Sequence, residues 1–262
     1  MPTFDSMRGE SNEFEPKEPR DYSSSKTNSN LLVAKVFGIM FIGLLITALI
    51  AGGLGFTLSN MLQQAIDASD EALMDNILNF MLVSMLISGV GLIIMSIVVP
   101  MVFARGKHSI LVPLIIYIIL MGVLLSSFTM AIDWWILAES ALITGITFGS
   151  ISLIGLLGKG KIPGLALTIS GLFIGILLLS LMNLILWLTG VGGDGLSWII
   201  SFLFLALVMF ISIWDVRNIK NIAARGFEQE NNVILYCAYT IYSDVIAIFV
   251  RIAVLLSRLK RK

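Results

Sequence analysis

Seven apolar runs fill most of this 262-residue chain, at about 32–58, 77–103, 109–131, 135–158, 163–189, 197–222 and 233–256. A helix of roughly 20 apolar residues crosses the ~30 Å hydrocarbon core of a bilayer, and in lipid only helices and closed barrels satisfy their own backbone groups. The expected fold is therefore all-α, an integral membrane protein of seven transmembrane helices. Only 13% of the residues are charged and 57% are hydrophobic, where soluble domains carry roughly 25% charged residues. Residues 1–30 are polar, with Pro2, Pro16, Pro19 and the serines Ser23, Ser24 and Ser25. They lack an apolar core behind a basic start, so they read as a disordered tail and not as a signal peptide. The domain organisation is then a tail over 1–30 and a seven-helix transmembrane domain over 31–262.

The connections between runs alternate in charge. Asp67, Asp70, Glu71 and Asp75 follow the first run, Arg105 and Lys107 the second, Asp133 the third, Lys159 and Lys161 the fourth, Asp194 the fifth, and Arg217, Lys220 and Arg225 the sixth. By the positive-inside rule the N-terminus, and with it the tail, is cytoplasmic. The C-terminal Arg258, Lys260, Arg261 and Lys262 break the alternation. Either the earlier spans fix the topology or the last run re-enters without crossing, and its length favours a full crossing. Gly145 with Gly149 and Gly171 with Gly175 are small-xxx-small spacings that let helices approach closely, and Gly52, Gly53 and Gly55 offer the same. Trp134, Trp135, Trp187 and Trp198 fall near outer ends, where interfacial anchors belong.

Several function classes fall away. A net charge of zero leaves no basic surface for nucleic acid. One cysteine, Cys237, makes neither an internal disulfide nor a thiolate metal cage, and one histidine, His108, leaves no His-based triad or zinc site. No phosphate-binding loop, H-E-x-x-H or G-x-S-x-G occurs, so the chain is not expected to be an enzyme and needs no cofactor.

Asp215 and Asp244, by contrast, lie inside the last two apolar runs, and an acid in hydrocarbon marks a functional site by default. Antiparallel neighbours would bring both to the cytoplasmic half of the bilayer. Two carboxyls that meet in low dielectric cannot easily both ionise, so they share a proton and form a latch that opens when the second charge develops. Doubly ionised, the same oxygens suit Ca²⁺ in transit. The other reading has Asp215 paired with Arg217 or Lys220, and Asp244 with Arg251. An intramembrane aspartyl protease also carries two such acids, but its G-x-G-D pattern is missing, since Tyr242 and Ser243 precede Asp244. Glu139 opens the fourth run as a helix N-terminal acid or as part of an ion pathway. Arg105 closes the second run as a topological anchor or as a group reaching the aspartates. Arg251, two turns from Asp244 on one face, is expected to snorkel to the outer interface.

At these residues the chain resembles the Bax inhibitor-1 family of seven-span membrane proteins. The resemblance rests on Ile213-WDVRNIKNI-Ala223, on Tyr239-TIYSDVIAIFVRIAVLLSRLK-Arg261 and on Glu139-SALITGITFGSIS-Leu153, and it covers about residues 31–262 with the span count included. It implies a last helix held centrally among the other six, and an Asp pair, here Asp215 and Asp244, closing a pH-sensitive Ca²⁺ leak. It also implies a closed-state latch role for Arg105. The chain departs from the family in a longer connection, Asn218 to Asn232, and in apolar residues such as Ile94 where some members carry a mid-helix acid.

The expected function is a pH-sensitive calcium leak channel in a bacterial plasma membrane, with Ca²⁺ as permeant ion and the bilayer and protons as its other partners; the sequence names no protein partner. The alternatives are a proton-coupled secondary transporter of a small solute and a non-conducting membrane regulator working through its tail and the 218–232 connection.

Overall fold

The computed structural model describes residues 22–106, 109–157, 164–189, 194–224 and 231–260. They form seven helices: α1 Tyr22–Asp67, α2 Glu71–Arg105, α3 Leu111–Ala131, α4 Trp134–Leu157, α5 Leu165–Leu188, α6 Asp194–Ala224 and α7 Asn231–Lys260. Each contains a segment long and apolar enough to cross a membrane. Among the described residues there is no strand.

The helices outrun their apolar cores. α1 has 46 residues, about 69 Å at 1.5 Å per residue, more than twice the ~30 Å of hydrocarbon. It begins at Tyr22, inside the stretch read as disordered tail, because the polar residues before Leu31 carry no helix breaker. Residues 1–21 lie outside the described residues. The acidic connection after α1 contracts to Ala68, Ser69 and Asp70, and the Asp70 carboxylate accepts from the Leu73 backbone N–H at 3.0 Å, capping α2. Gly106, at φ 63°, ends α2 with its N–H on the Val102 and Phe103 carbonyls. The α6–α7 connection is shorter than Asn218 to Asn232, since α6 continues to Ala224 and α7 starts at Asn231. His108 and residues 225–230 lie outside the described residues.

Three contacts fix the relative direction of the helices. The Ile110 N–H at the start of α3 donates to Asn232 Oδ1 at the start of α7 (3.3 Å), and Lys220 Nζ near the end of α6 donates to the Leu156 carbonyl at the end of α4 (2.6 Å). Lys260 Nζ, at the last residue of α7, lies 2.8 Å from Glu139 Oε2 in the first turns of α4. The chain thus reverses direction at each of its six connections, and α7 runs the length of the bundle to finish at the Glu139 end, opposite the Arg105 end.

α7 is the centre of the bundle. It packs against α1, α2, α3, α4 and α6, while α5 leans on α6 at the edge. Of its apolar window 61% is buried, and no other helix exceeds 33%. Elsewhere large side chains such as Leu167, 79% exposed, face outward as a lipid-facing surface does.

Of the glycines the spacing suggested, Gly55 packs closely, against Thr129, and the others do not. A Cβ built on Gly145, Gly149, Gly171, Gly175, Gly52 or Gly53 would meet nothing within 4 Å. The other close approaches are at Gly122 against Ile50 (2.8 Å), Gly91 against Leu120 (2.9 Å) and Gly155 against Val216 (2.7 Å). The Gly145 face of α4 borders a cavity of 530 Å³ between α1, α3, α4 and α7. α1 and α4 touch nearer the Arg105 end through Phe37 and Phe148, ring centroids 6.1 Å apart, and the cavity separates them beyond that contact.

Candidate functional site: the aspartates of the α6–α7 seam

α6 and α7 run antiparallel from a short connection, so distance from that connection sets what faces what. Asp215 lies about 14 Å along α6 from Ala224, Ser212 about 18 Å, and Asp244 about 20 Å along α7 from Asn231. Asp244 therefore stands level with Ser212, and Asp215 sits about one turn nearer the Arg105 end. The contacts follow this arithmetic. Asp244 is hydrogen-bonded to the Ser212 side chain and feels the Asp215 carboxylate electrostatically. Asp215 in turn acts on Tyr236 and Cys237 of α7. The seam brings the two acids together, with Ser212 as a third member. Sequence reading missed Ser212, although it lies three residues before Asp215 and so on the same helix face.

Burial at the seam is deep. Asp244 is 8% exposed and Ser212 is fully buried, while Asp215 is intermediate. The Ser212 hydroxyl donates to the Val208 carbonyl at 2.9 Å. A hydroxyl has one proton and two acceptor lone pairs, so Ser212 can accept from a protonated Asp244 while its own proton stays on Val208, or turn that proton toward an ionised one. The other Asp244 oxygen, Oδ2, is buried and has no hydrogen-bond partner among the described residues. The two carboxyls are neighbours without a direct bond, and a buried polar atom left unsatisfied costs roughly 1–3 kcal/mol, more if charged.

Neither basic residue considered for charge pairing through Lys220 or Arg251 fills that role. Lys220 reaches the Leu156 carbonyl. Arg251 does not snorkel outward either, because its guanidinium lies over the Phe204 ring of α6, 3.8 Å from the centroid. Arg105 is exposed at the end of α2 and makes no ion pair among the described residues. Phe103, two residues before it, stacks on Tyr236 at 4.2 Å and 1°, tying the end of α2 to the base of α7. Glu139 is bound to Lys260, both about half exposed, at the opposite end from the seam's acids.

Phenol rings brace the rest of α7. Tyr117 of α3 meets Tyr239 and Tyr242 edge-on at 5.0 and 6.0 Å and is hydrogen-bonded to Ser243. The Tyr242 hydroxyl bonds the Thr47 hydroxyl of α1, with both residues buried. Removing it in Tyr242→Phe should destabilise the bundle by about 1 kcal/mol. A double-mutant cycle with Thr47→Val, followed by thermal unfolding in detergent, should recover the coupling.

Among the described residues no three of His, Cys, Asp and Glu converge. Ca²⁺ takes six to eight oxygens, more than two carboxyls and a serine supply.

Comparison with known proteins places the chain. The family model described as Inhibitor of apoptosis-promoting Bax1 matches residues 29–261. The chain is 26% identical over 221 residues to Inner membrane protein YbhL of Escherichia coli strain K12, covering 83% of this chain and 87% of the relative. The same figures hold for the protein of that name in Escherichia coli O6:H1. No solved structure matches.

Proposed function

This chain belongs to the Bax inhibitor family, and we propose that it is a passive Ca²⁺ leak whose gate is the proton balance between Asp215 and Asp244. One observation carries the reading: a buried carboxyl oxygen, Asp244 Oδ2, stands without a partner beside a second carboxyl. A membrane helix tolerates such an atom where a proton or a cation visits it.

The residues supply the steps. With a proton on Asp244, Ser212 accepts from it and the seam carries at most one charge. Loss of that proton leaves two carboxylates facing each other in low dielectric, and their repulsion pushes α6 from α7. The same oxygens then draw a divalent cation, which their negative field favours. Higher pH therefore favours opening and acid favours closure. Arg105 acts as a latch in this scheme only if the end of α2 turns toward Asp215, and the Phe103–Tyr236 stack is the hinge about which it would turn.

The alternating loop charges support a cytoplasmic N-terminus, with the Arg105 end facing the cytoplasm. The name of the bacterial relative supports the plasma membrane of a bacterium as the location. Purified protein in liposomes should pass Ca²⁺ down its gradient, faster as the pH on the Arg105 side rises. Flux without pH response would overturn the gate, and uphill solute accumulation driven by a pH gradient would identify a proton-coupled transporter instead. Glu139→Gln tests whether that acid belongs to the ion path. As a half-exposed surface pair with Lys260 it contributes about 0–1 kcal/mol, and the variant should conduct as the wild type does.

A further inference from the structure

Arg251 is a second charged group within the span of the central helix, half-buried, and the aspartate gate leaves it unused. It lies about 14 Å from the end of α7 at Lys260, and Phe204 about 15 Å from the start of α6 at Asp194, so ring and guanidinium are level within the outward half of the bundle. A lipid-facing arginine extends toward the interface to keep its head in water. Here the side chain turns across the seam instead, onto the Phe204 ring at 3.8 Å. No carboxylate pairs with it among the described residues, and the charge that acts on it is Arg258, about two turns further along α7. Residues 244 and 251 share one face of α7, and both are matched by α6: Asp244 by Ser212 and Asp215, Arg251 by Phe204. The seam thus carries negative groups toward the Arg105 end and one fixed positive group toward the Glu139 end.

We propose that Arg251, held across the α6–α7 seam by Phe204, is an electrostatic barrier that sets charge selectivity in the outward half of the conduction route. The proposal rests on the aspartates being a cation gate. A cation passing between the acids and the Glu139 end meets this guanidinium. Coulomb energy is proportional to the ion's charge, so the barrier for Ca²⁺ is twice that for K⁺ and the rate factor is squared. The barrier slows divalent ions most, so a leak through this seam stays small even when the aspartates are ionised. The ring attracts the guanidinium through its quadrupole and keeps the barrier in the path.

The test is parallel Ca²⁺ and K⁺ flux through the full chain in liposomes. Arg251→Gln removes the charge and keeps most of the bulk. If K⁺ flux rises about threefold, Ca²⁺ flux should rise about ninefold. Arg251→Lys keeps the charge and should hold the Ca²⁺/K⁺ ratio near wild type, while Phe204→Leu should shift the ratio in the same direction as Arg251→Gln. Equal gains for both ions in Arg251→Gln would mean a steric plug and overturn the barrier. A pH-gated wild type whose Arg251→Gln variant has the same fluxes overturns the barrier alone, and a wild type that passes no ion overturns the gate and the barrier together.

Discussion

Asp215→Asn should flatten the pH response of Ca²⁺ flux and hold it at the level the wild type shows in acid. Asparagine keeps the shape of the side chain but cannot take the second charge. Two like charges at close range repel by a few kcal/mol at an effective dielectric of about 20, on the order of a hundredfold in population between closed and open seam. The direction follows from which form carries the strain. In the proposed closed state acid supplies the proton through which Asp244 can donate to the Ser212 oxygen and leaves the seam relaxed. Alkali removes it, and the repulsion is present only if Asp215 is charged as well. Wild-type flux should therefore climb at least tenfold from acid to mildly alkaline buffer, and the variant should not climb. The measurement is Ca²⁺ entry into liposomes loaded with indicator dye, across a series of external pH values. A variant as pH-sensitive as the wild type would sink the gate.

Gly155→Ala and Gly145→Ala should move stability in opposite directions, although both add one methyl to the same helix. At Gly155 the new carbon would stand 2.7 Å from Val216 Cγ1. Val216 is buried at 1% exposure and is β-branched, with one favoured rotamer in a helix, so it cannot swing aside. Overpacking of this kind costs about 1–3 kcal/mol, and the strain falls on the residue next to Asp215. At Gly145 nothing lies within 4 Å and the methyl enters the cavity between α1 and α4. Only the gain in helix propensity, about 1 kcal/mol at most, should remain. Midpoints of thermal unfolding in detergent should therefore fall for Gly155→Ala and hold or rise for Gly145→Ala. A shared direction would refute the assignment of faces.

These two cases also mark what the chain discloses without coordinates. The seven spans and the two acids were legible because hydrocarbon penalises polarity so steeply that length and charge alone locate them. The rotation of each helix was not. In α4 the lipid-facing and protein-facing sides are both apolar, so nothing in the pattern separates Gly145, which faces open space, from Gly155, which touches α6. α7 is the exception. Tyr239, Tyr242 and Asp244 face its neighbours, and polar side chains in such a helix can only point inward. Depth was legible to about one turn. That left the pairing of Asp215 with Asp244 sound as a neighbourhood, but it hid Ser212, which occupies the level directly opposite Asp244. Arg251 defeated the snorkelling expectation because an aromatic ring on the adjacent helix offers a guanidinium a partner that sequence spacing does not reveal.

The central helix is also the last of the seven to be made. α7 supplies the middle of the core, yet its 30 residues leave the ribosome only after six helices are already in the membrane. Those six must wait around an unfilled axis, held by flank contacts such as α1 with α3 and α4 with α6. A chain cut short before Asn231 would lose its hub and keep its rim, exposing Thr47 and Tyr117, whose hydroxyl partners lie on α7, to lipid at once. Such a product carries unsatisfied hydroxyls where hydrocarbon should be, a mark by which membrane quality control can tell an unfinished bundle from a finished one.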